Sequence, residues 1–294
     1  MKTFLQPLQN LAEMEEIRDK ARHNTGVLAV SGCMESQKAH MVYGLSGLFP
    51  SHLIISEDER SAKQIFEDYR FYEKNVYYYP ARDLLFFQAD IHGNLLIRQR
   101  MQVIRALLNE ENITVVTSVD GCMDFLVPLE EIKKQILYFR NDSELDVNQL
   151  RAQLVSMGYE LVGQVEMPGQ FSVRGGIIDI YCLTEENPWR IELWGDEIDS
   201  IRSFDAQSQR SIENLDEIVI YPAAEQQAEK SGITFLDYFD KNQSMVFLDE
   251  PNRLFENARA VEEEFRQTAA TERKKANKIS RKDGCVPGRS FAGS

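Results

Sequence analysis

The chain has 294 residues, enough for two or three domains, and its contents of 43% hydrophobic and 27% charged residues are ordinary for a globular protein. The formal net charge of −14 argues against a protein that grips DNA unaided, because such proteins neutralise phosphates with a basic face. No apolar run approaches the roughly 18 residues of a membrane span. The N-terminus also lacks the apolar core of a signal peptide. We therefore expect a cytoplasmic protein.

The cysteines and histidines are too scattered to form a ligand set. No two cysteines have the C-x-x-C spacing of a zinc or redox site, and the four histidines do not cluster. We expect reduced thiols, no metal site and no cofactor. The cysteines are Cys33, Cys122, Cys182 and Cys285.

The segment after the first predicted strand, Val27–Val30, has the layout of a phosphate-binding loop without its chemistry. A working loop carries G-x-x-x-x-G-K-[ST] between a strand and a helix. Gly32 and Lys38 occupy their positions, but Gln37 replaces the second glycine and Ala39 replaces the hydroxyl that holds Mg²⁺. Without that glycine, backbone N–H groups cannot turn inward around phosphates. Taken alone, these residues favour an ordinary strand–helix turn over a decayed phosphate loop.

Short apolar strands then alternate with amphipathic helices up to residue 135, which predicts a parallel sheet covered on both faces. Tyr77, Tyr78 and Tyr79 could suggest base stacking, but their place in a short strand before Pro80 favours packing in the sheet. The predicted strands are 52–56, 75–79 and 113–117, and the predicted helices are 8–22, 35–48, 57–72 and 94–109.

The pattern changes between residues 136 and 221, where segments of period two are separated by turn residues. This predicts a small α+β domain with an antiparallel sheet, inserted into the first domain. Its predicted elements are a strand at 136–139, a helix at 146–157, and strands at 159–165, 171–181, 188–194, 198–204 and 218–221.

The sequence pattern predicts an incomplete third subdomain at residues 222–270, with a strand at 245–248 and a helix at 254–268. Asp249 and Glu250 end that strand and resemble the acidic end of a Walker B strand, but Gln37 and Ala39 leave this chemistry without partners. A vestigial or structural role is favoured for the two acids. Residues 271–294 are basic and aperiodic, and we expect them to be disordered.

The strand at 188–194 offers a candidate binding face, because its side chains alternate between two sides. The apolar side is predicted to face the core. Trp194 then stands on the polar side beside Arg190, and these two residue types are enriched in interface hot spots. From the residues alone, an edge-covering Trp194 and an ion pair of Arg190 with Glu192 or Asp179 are favoured. The apolar side consists of Trp189, Ile191 and Leu193, and the polar side of Arg190, Glu192 and Trp194.

Several longer motifs, in the same order along the chain, resemble the N-terminal, UvrB-like module of the transcription-repair coupling factors. The similarity runs from residue 1 to about residue 265. The resemblance implies a nucleotide-binding-like core without ATPase activity and an inserted domain that binds UvrA. In that family, the domains that contact RNA polymerase and translocate on DNA lie further C-terminal. The motifs are Ser36–Met41, Tyr79–Phe86, Ala89–Asn94, Phe171–Asp179 and Arg190–Asp199.

The resemblance also implies a site. Arg174, Arg190 and Trp194 fall on family positions that contact UvrA, and Arg202 is a weaker neighbour. The Tyr-rich DNA-clamping hairpin of UvrB is missing, because only residues 81–93 separate the strand from the helix. The chain is also shorter than the family between residues 222 and 246, and it lacks helicase motifs. These departures suggest a fragment or a faulty gene model.

The sequence thus predicts an α/β fold: a degenerate P-loop, helicase-like parallel sheet (residues 1–135) with an inserted α+β domain. The predicted function is a UvrB-like adaptor without ATPase activity, which recruits UvrA during nucleotide excision repair. RNA polymerase and DNA are partners only of domains outside this chain. Two alternatives stay open: a nucleotide-hydrolysing repair helicase subunit, which ATP turnover would reveal, and a direct binder of damaged DNA.

Overall fold

The structure, a computed structural model, describes residues 5, 7–8, 10–23, 26–82, 90–109, 112–224 and 232–263, with the backbone alone at 90–94. The predicted tail at 271–294 and the motif residues Asp83–Phe86 lie outside these ranges. The helices are α1 (Ala12–His23), α2 (Glu35–Leu45), α3 (Glu59–Tyr69), α4 (Asp90–Leu108), α5 (Val119–Cys122), α6 (Leu129–Lys133), α7 (Val147–Ser156) and α8 (residues 251–263).

The strands form three sheets. They are β1 (Ser51–Ser56), β2 (Val76–Tyr79), β3 (Thr114–Ser118), β4 (Leu137–Arg140), β5 (Glu160–Leu161), β6 (Gln170–Arg174), β7 (Ile177–Ile180), β8 (Trp189–Trp194), β9 (Glu197–Phe204), β10 (Ser211–Leu215), β11 (Glu217–Ile220) and β12 (Ser244–Leu248). A short 3₁₀ turn, Phe235–Tyr238, precedes β12.

The first sheet is parallel throughout, with the strand order β12-β1-β3-β2. Successive side chains of β1 point to opposite faces, so Leu53 joins the cluster that contains Met101 and Ile104 of α4, while Ile54 packs with α2 and α3. Helices therefore cover both faces, which confirms the predicted parallel α/β architecture. Tyr79 at the end of β2 is buried and stacks on Phe235 with ring centroids 3.7 Å apart, as the packing interpretation predicts.

The predicted first strand, Val27–Val30, is wrong. Residues 27–34 are irregular, and Val27 is 92% exposed. A strand persists only where a neighbour takes its backbone N–H and C=O groups. Among the described residues, no strand pairs with this segment, so an apolar run alone does not make it extended. The phosphate-loop layout therefore keeps its loop and helix but lacks the strand expected before them.

The second sheet has six strands in the order β10-β9-β8-β7-β6-β5, antiparallel except for the short β5–β6 pair. Helix α7 packs on one face through Leu150 and Leu154, and Asp146 caps its N-terminus by accepting from the N–H groups of Asn148 and Gln149. Strands β4 and β11 form a separate antiparallel pair. Of the predicted strand at 159–165, only β5 forms, and β10 was not predicted because four of its five residues are exposed.

Three cysteines are described, and all are reduced: Cys122 and Cys182 are buried and Cys33 is half-buried. Cys285 lies outside the described residues. Within the described ranges, no group of His, Cys, Asp and Glu side chains is arranged to hold a metal ion. None of the described helices is both long and apolar enough to cross a membrane.

Candidate partner-binding site

Strand β8 turns its two tryptophans to opposite sides of the sheet. Trp189 is 8% exposed and belongs to the core, whereas Trp194 is 82% exposed. The pairing of β8 with β9 shifts register between Glu192 and Leu193, yet Leu193 still packs against the core. The predicted assignment of the two faces is therefore confirmed, and Trp194 is a large aromatic side chain in contact with solvent.

A buried carboxylate lies between two of the predicted site arginines. Asp179 of β7 is fully buried, and its Oδ1 accepts a hydrogen bond of 2.6 Å from Arg190 Nε. Its Oδ2 accepts from Arg190 Nη2 at 2.9 Å and from Arg174 Nη2 at 2.5 Å. The register explains this meeting, because Asp179 pairs directly with Arg190 on β8 and Ser172 on β6.

Arg190 is held from other sides as well. Its guanidinium carbon lies 4.4 Å from the ring centroid of Phe204, and its Nη2 also donates to Gln209 Oε1 at 3.0 Å. The hydrogen bonds to Asp179 raise the pKa of Arg190, so it stays charged. Its side chain is only 14% exposed. Arg190 thus lies on the polar face as predicted, but its ion pair is largely buried and not a surface bridge.

Arg174 is the more accessible arginine, with 45% of its side chain exposed. It ends β6, directly before the turn at Gly175 and Gly176. Gly175 has a φ of +63°, which favours glycine, and a Cβ on Gly176 would lie 3.1 Å from the carbonyl oxygen of Leu193. The β6–β7 turn therefore lies against the end of β8, and Arg174 and Trp194 share one end of the sheet.

Arg202 of β9 is the cross-strand neighbour of Arg190, but it pairs with a different carboxylate. Its Nη1 donates to Glu192 Oε2 at 3.2 Å, and its Nη2 donates to Glu192 Oε1. Arg202 is thus tied to β8, and the polar face carries alternating charges along neighbouring strands.

Lys38 lies in the first turn of α2, among three carboxylates. Its Nζ lies 2.7 Å from Glu35 Oε1, 2.8 Å from Asp249 Oδ1 and 3.0 Å from Glu250 Oε1. Burial opposes the charged form of Lys38, but these hydrogen bonds outweigh it and raise the pKa of the amine above its usual range. The lysine that would meet phosphate in a working loop is therefore engaged by the acidic end of β12.

Glu59, which is not among the predicted site residues, joins the ends of two parallel strands. Its carboxylate accepts hydrogen bonds from the Tyr78 hydroxyl, the Ser118 hydroxyl and, at 3.0 Å, the Ala81 N–H. Only the order of strands in the sheet brings these groups together, so no sequence pattern could have revealed it.

Comparison with known proteins identifies the region that carries the arginine pair. Residues 137–225 match the model of the UvrB interaction domain. The chain is 37% identical over 211 residues, or 67% of its length, to the transcription-repair-coupling factor of Bacillus subtilis (strain 168). This chain is a relative of the transcription-repair coupling factors. It is also 31% identical over 221 residues to the coupling factor of Staphylococcus haemolyticus and 36% identical over 152 residues to that of Staphylococcus aureus (strain MRSA252).

The chain spans only a small part of these relatives, covering 18% of the Bacillus coupling factor, 19% of the Staphylococcus haemolyticus protein and 13% of the Staphylococcus aureus protein. The predicted family is thus confirmed. Arg174, Arg190 and Trp194 all lie inside the matched interaction domain.

Proposed function

We propose that this chain is an adaptor in transcription-coupled nucleotide excision repair, which binds UvrA through its inserted domain. The observation that carries the proposal is the match of residues 137–225 to the UvrB interaction domain, together with Trp194 exposed on its polar face. An exposed tryptophan beside arginines is the usual composition of an interface hot spot. Arg174 and Trp194 are the proposed direct contacts, and Arg190 completes the site.

The loop supports a scaffold without ATPase activity. Lys38 already neutralises part of the charge of Glu35, Asp249 and Glu250, so a phosphate would have to displace these carboxylates from the amine. It would then add negative charge beside three acids, which costs electrostatic free energy. The hydroxyl that would hold Mg²⁺ is replaced by Ala39, which is buried. Both features oppose a nucleotide-hydrolysing helicase subunit.

The proposal is tested by titrating purified UvrA against the full chain and its variants. Arg174→Ala and Trp194→Ala should each weaken binding by about 1–3 kcal/mol, the range of interface anchors. Two exposed residues of the same domain serve as matched controls: Arg151→Ala on α7 and Tyr138→Ala on β4 should bind like the parent. If Arg174→Ala and Trp194→Ala stay folded and bind UvrA unchanged, the proposed site is wrong.

Nucleotide and DNA are the second arm of the test. The chain should show no ATP turnover above background, and ATP with Mg²⁺ should not raise its melting temperature. With a net charge of −14, it should bind duplex DNA no better than a dissociation constant of about 10⁻⁴ M at physiological salt. Turnover that is lost on Lys38→Ala, or submicromolar binding to damaged DNA, would contradict the adaptor role.

A further inference from the structure

Asp179 cannot contact a partner itself, because its side chain is fully buried. Both of its oxygens are nevertheless occupied by the guanidinium groups of Arg190 and Arg174. A buried carboxylate remains charged only when it is paired and hydrogen-bonded. The two arginines are therefore not independent surface side chains, since one buried charge fixes both of them.

The two arginines differ in what they leave for a partner. Arg190 donates from Nε and Nη2 to Asp179. It also donates from Nη2 to Gln209 and lies over the ring of Phe204. Arg174 gives only Nη2 to Asp179, and within the described residues its Nε and Nη1 make no hydrogen bond. By the described contacts, Arg174 thus keeps one two-pronged edge of its guanidinium, made of the second N–H of Nη2 and an N–H of Nε or Nη1. Such a planar edge suits a carboxylate or a pair of carbonyl oxygens.

The bond to Asp179 limits the conformations of Arg174 before any partner arrives. A flexible arginine loses side-chain entropy when it is immobilised in an interface, at about 0.5–1.5 kcal/mol per side chain. A guanidinium that is already held by a buried carboxylate has lost part of this freedom on folding. Arg190 supports the arrangement from the other side, because its Nε and Nη2 donate to both oxygens of Asp179.

We infer that Asp179 is a positioning residue for UvrA binding: it orients the guanidinium group of Arg174 and acts on the partner only through it. This inference rests on the proposed function. It reassigns Arg190 from a direct contact to a support, and it leaves Arg174 and Trp194 as the pair that meets UvrA at the turn end of the sheet.

The test is a double-mutant cycle on the full chain, with UvrA as the titrant. Asp179→Asn should weaken binding by about threefold to tenfold, the range expected when an immobilised side chain becomes free. In the Arg174→Ala background, Asp179→Asn should change the dissociation constant by less than about twofold, because the residue it positions is gone. A purely structural role would not depend on Arg174. The inference is overturned if the two losses multiply, or if folded Asp179→Asn binds like the parent.

Asp179→Asn leaves a buried arginine without its charge partner and could fail to fold, so each variant is first checked by a thermal melt. In that case Arg174→Lys decides, because it keeps the charge at a half-exposed position but lacks the planar fork. It should lose as much binding as Arg174→Ala, whereas binding equal to that of the parent overturns the inference. Arg151→Ala is the control for a lost surface arginine. If Arg174→Ala and Trp194→Ala both leave binding unchanged, the proposed UvrA site itself fails.

Discussion

At the scale of single residues, His52 shows how burial sets a protonation state. Its side chain lies in the parallel sheet at 3% exposure, with its ring centroid 6.2 Å from that of Phe247. Loss of hydration lowers the pKa of His52 to about 4. Hydrogen bonding to the backbone of Ile113 has a smaller effect that raises the pKa. The ring is therefore neutral in the folded protein at neutral pH.

We expect His52 to contribute to unfolding in mild acid. Its folded pKa lies below its ordinary value of 6.5, so the unfolded chain takes up the proton first. The stability that this gives is complete above about pH 6.5 and is lost as the pH falls towards 4, by about 3 kcal/mol at most. Urea denaturation of the parent and of His52→Gln from pH 7.5 to 4.5 measures it. The two curves should converge as the pH falls, and parallel curves would contradict the assignment.

The two tryptophans of β8 make a paired prediction about stability. Trp189→Ala removes a core side chain and should lower the free energy of unfolding by about 3–5 kcal/mol. Trp194→Ala removes a side chain from solvent and should change it by less than about 0.5 kcal/mol. Denaturant titrations of both variants measure the difference. If Trp194→Ala proves the more destabilising of the two, the orientation of β8 is inverted.

The sequence predicted which side of the sheet each of these two tryptophans faces, because the alternation of side chains along one strand is a local property. It named Asp179 as one possible partner of Arg190 but could not show that Asp179 also binds Arg174. That arrangement depends on the register of β6, β7 and β8, which no single strand encodes. For the same reason, the sequence did not reveal the role of Glu59, because its hydrogen-bond donors lie on or next to β2 and β3.

At the scale of elements, an ion-pair cluster around Lys38 joins α2 to the acidic residues that follow β12. Strand β12 was predicted from its apolar run, and it forms because β1 pairs with it from Ser51 to Ile55. The run at Val27–Val30 is similarly apolar, but no strand in the described part of the chain pairs with it. Composition thus predicted which segments could be strands, and the availability of a pairing edge decided which of them formed.

We expect Lys38 to fasten α2 to the end of β12. Lys38→Met leaves three carboxylates together without their ammonium group and should lower the free energy of unfolding by about 1–2 kcal/mol, between the values of surface and buried pairs. Adding Asp249→Asn should recover part of that loss, because it removes one of the repelling charges. Lys63→Met, at an exposed position of α3, is the control and should have little effect. Urea denaturation of the parent and the three variants gives the result. If Lys38→Met does not change the free energy of unfolding, the ion-pair cluster does not stabilise the contact between α2 and the end of β12.

At the scale of the whole molecule, the inserted domain is not isolated from the parallel sheet. One apolar cluster includes Leu53 of β1 and Ile178 of β7. Polar contacts add to it: Arg105 Nη1 of α4 lies 2.6 Å from Glu185 Oε1, and the Tyr221 hydroxyl donates to Asn109 Oδ1 at 3.2 Å. The sequence marked the change of pattern at residue 136, but it contained no sign of this shared core, because the residues involved are distant in the chain.

Residues 136–224 made alone should therefore fold, but with a lower melting temperature than the full chain. Folding is expected because the six-stranded sheet, α7 and the β4–β11 pair all lie within this segment, and the Tyr159 hydroxyl closes it with a hydrogen bond of 2.6 Å to the carbonyl oxygen of Tyr221. The loss of stability is expected because Arg105 and the apolar neighbours in α4 are removed. UvrA binding should differ from that of the full chain by less than about threefold, under 1 kcal/mol, because Arg174, Asp179 and Trp194 are all retained.

Glu185→Gln in the full chain is the matched control, since it breaks the contact with Arg105 and should reproduce part of the stability loss without affecting UvrA binding. Thermal melts and UvrA titrations of the three proteins measure both effects. A segment that shows no cooperative unfolding transition would mean that the inserted domain depends on the parallel sheet for its fold.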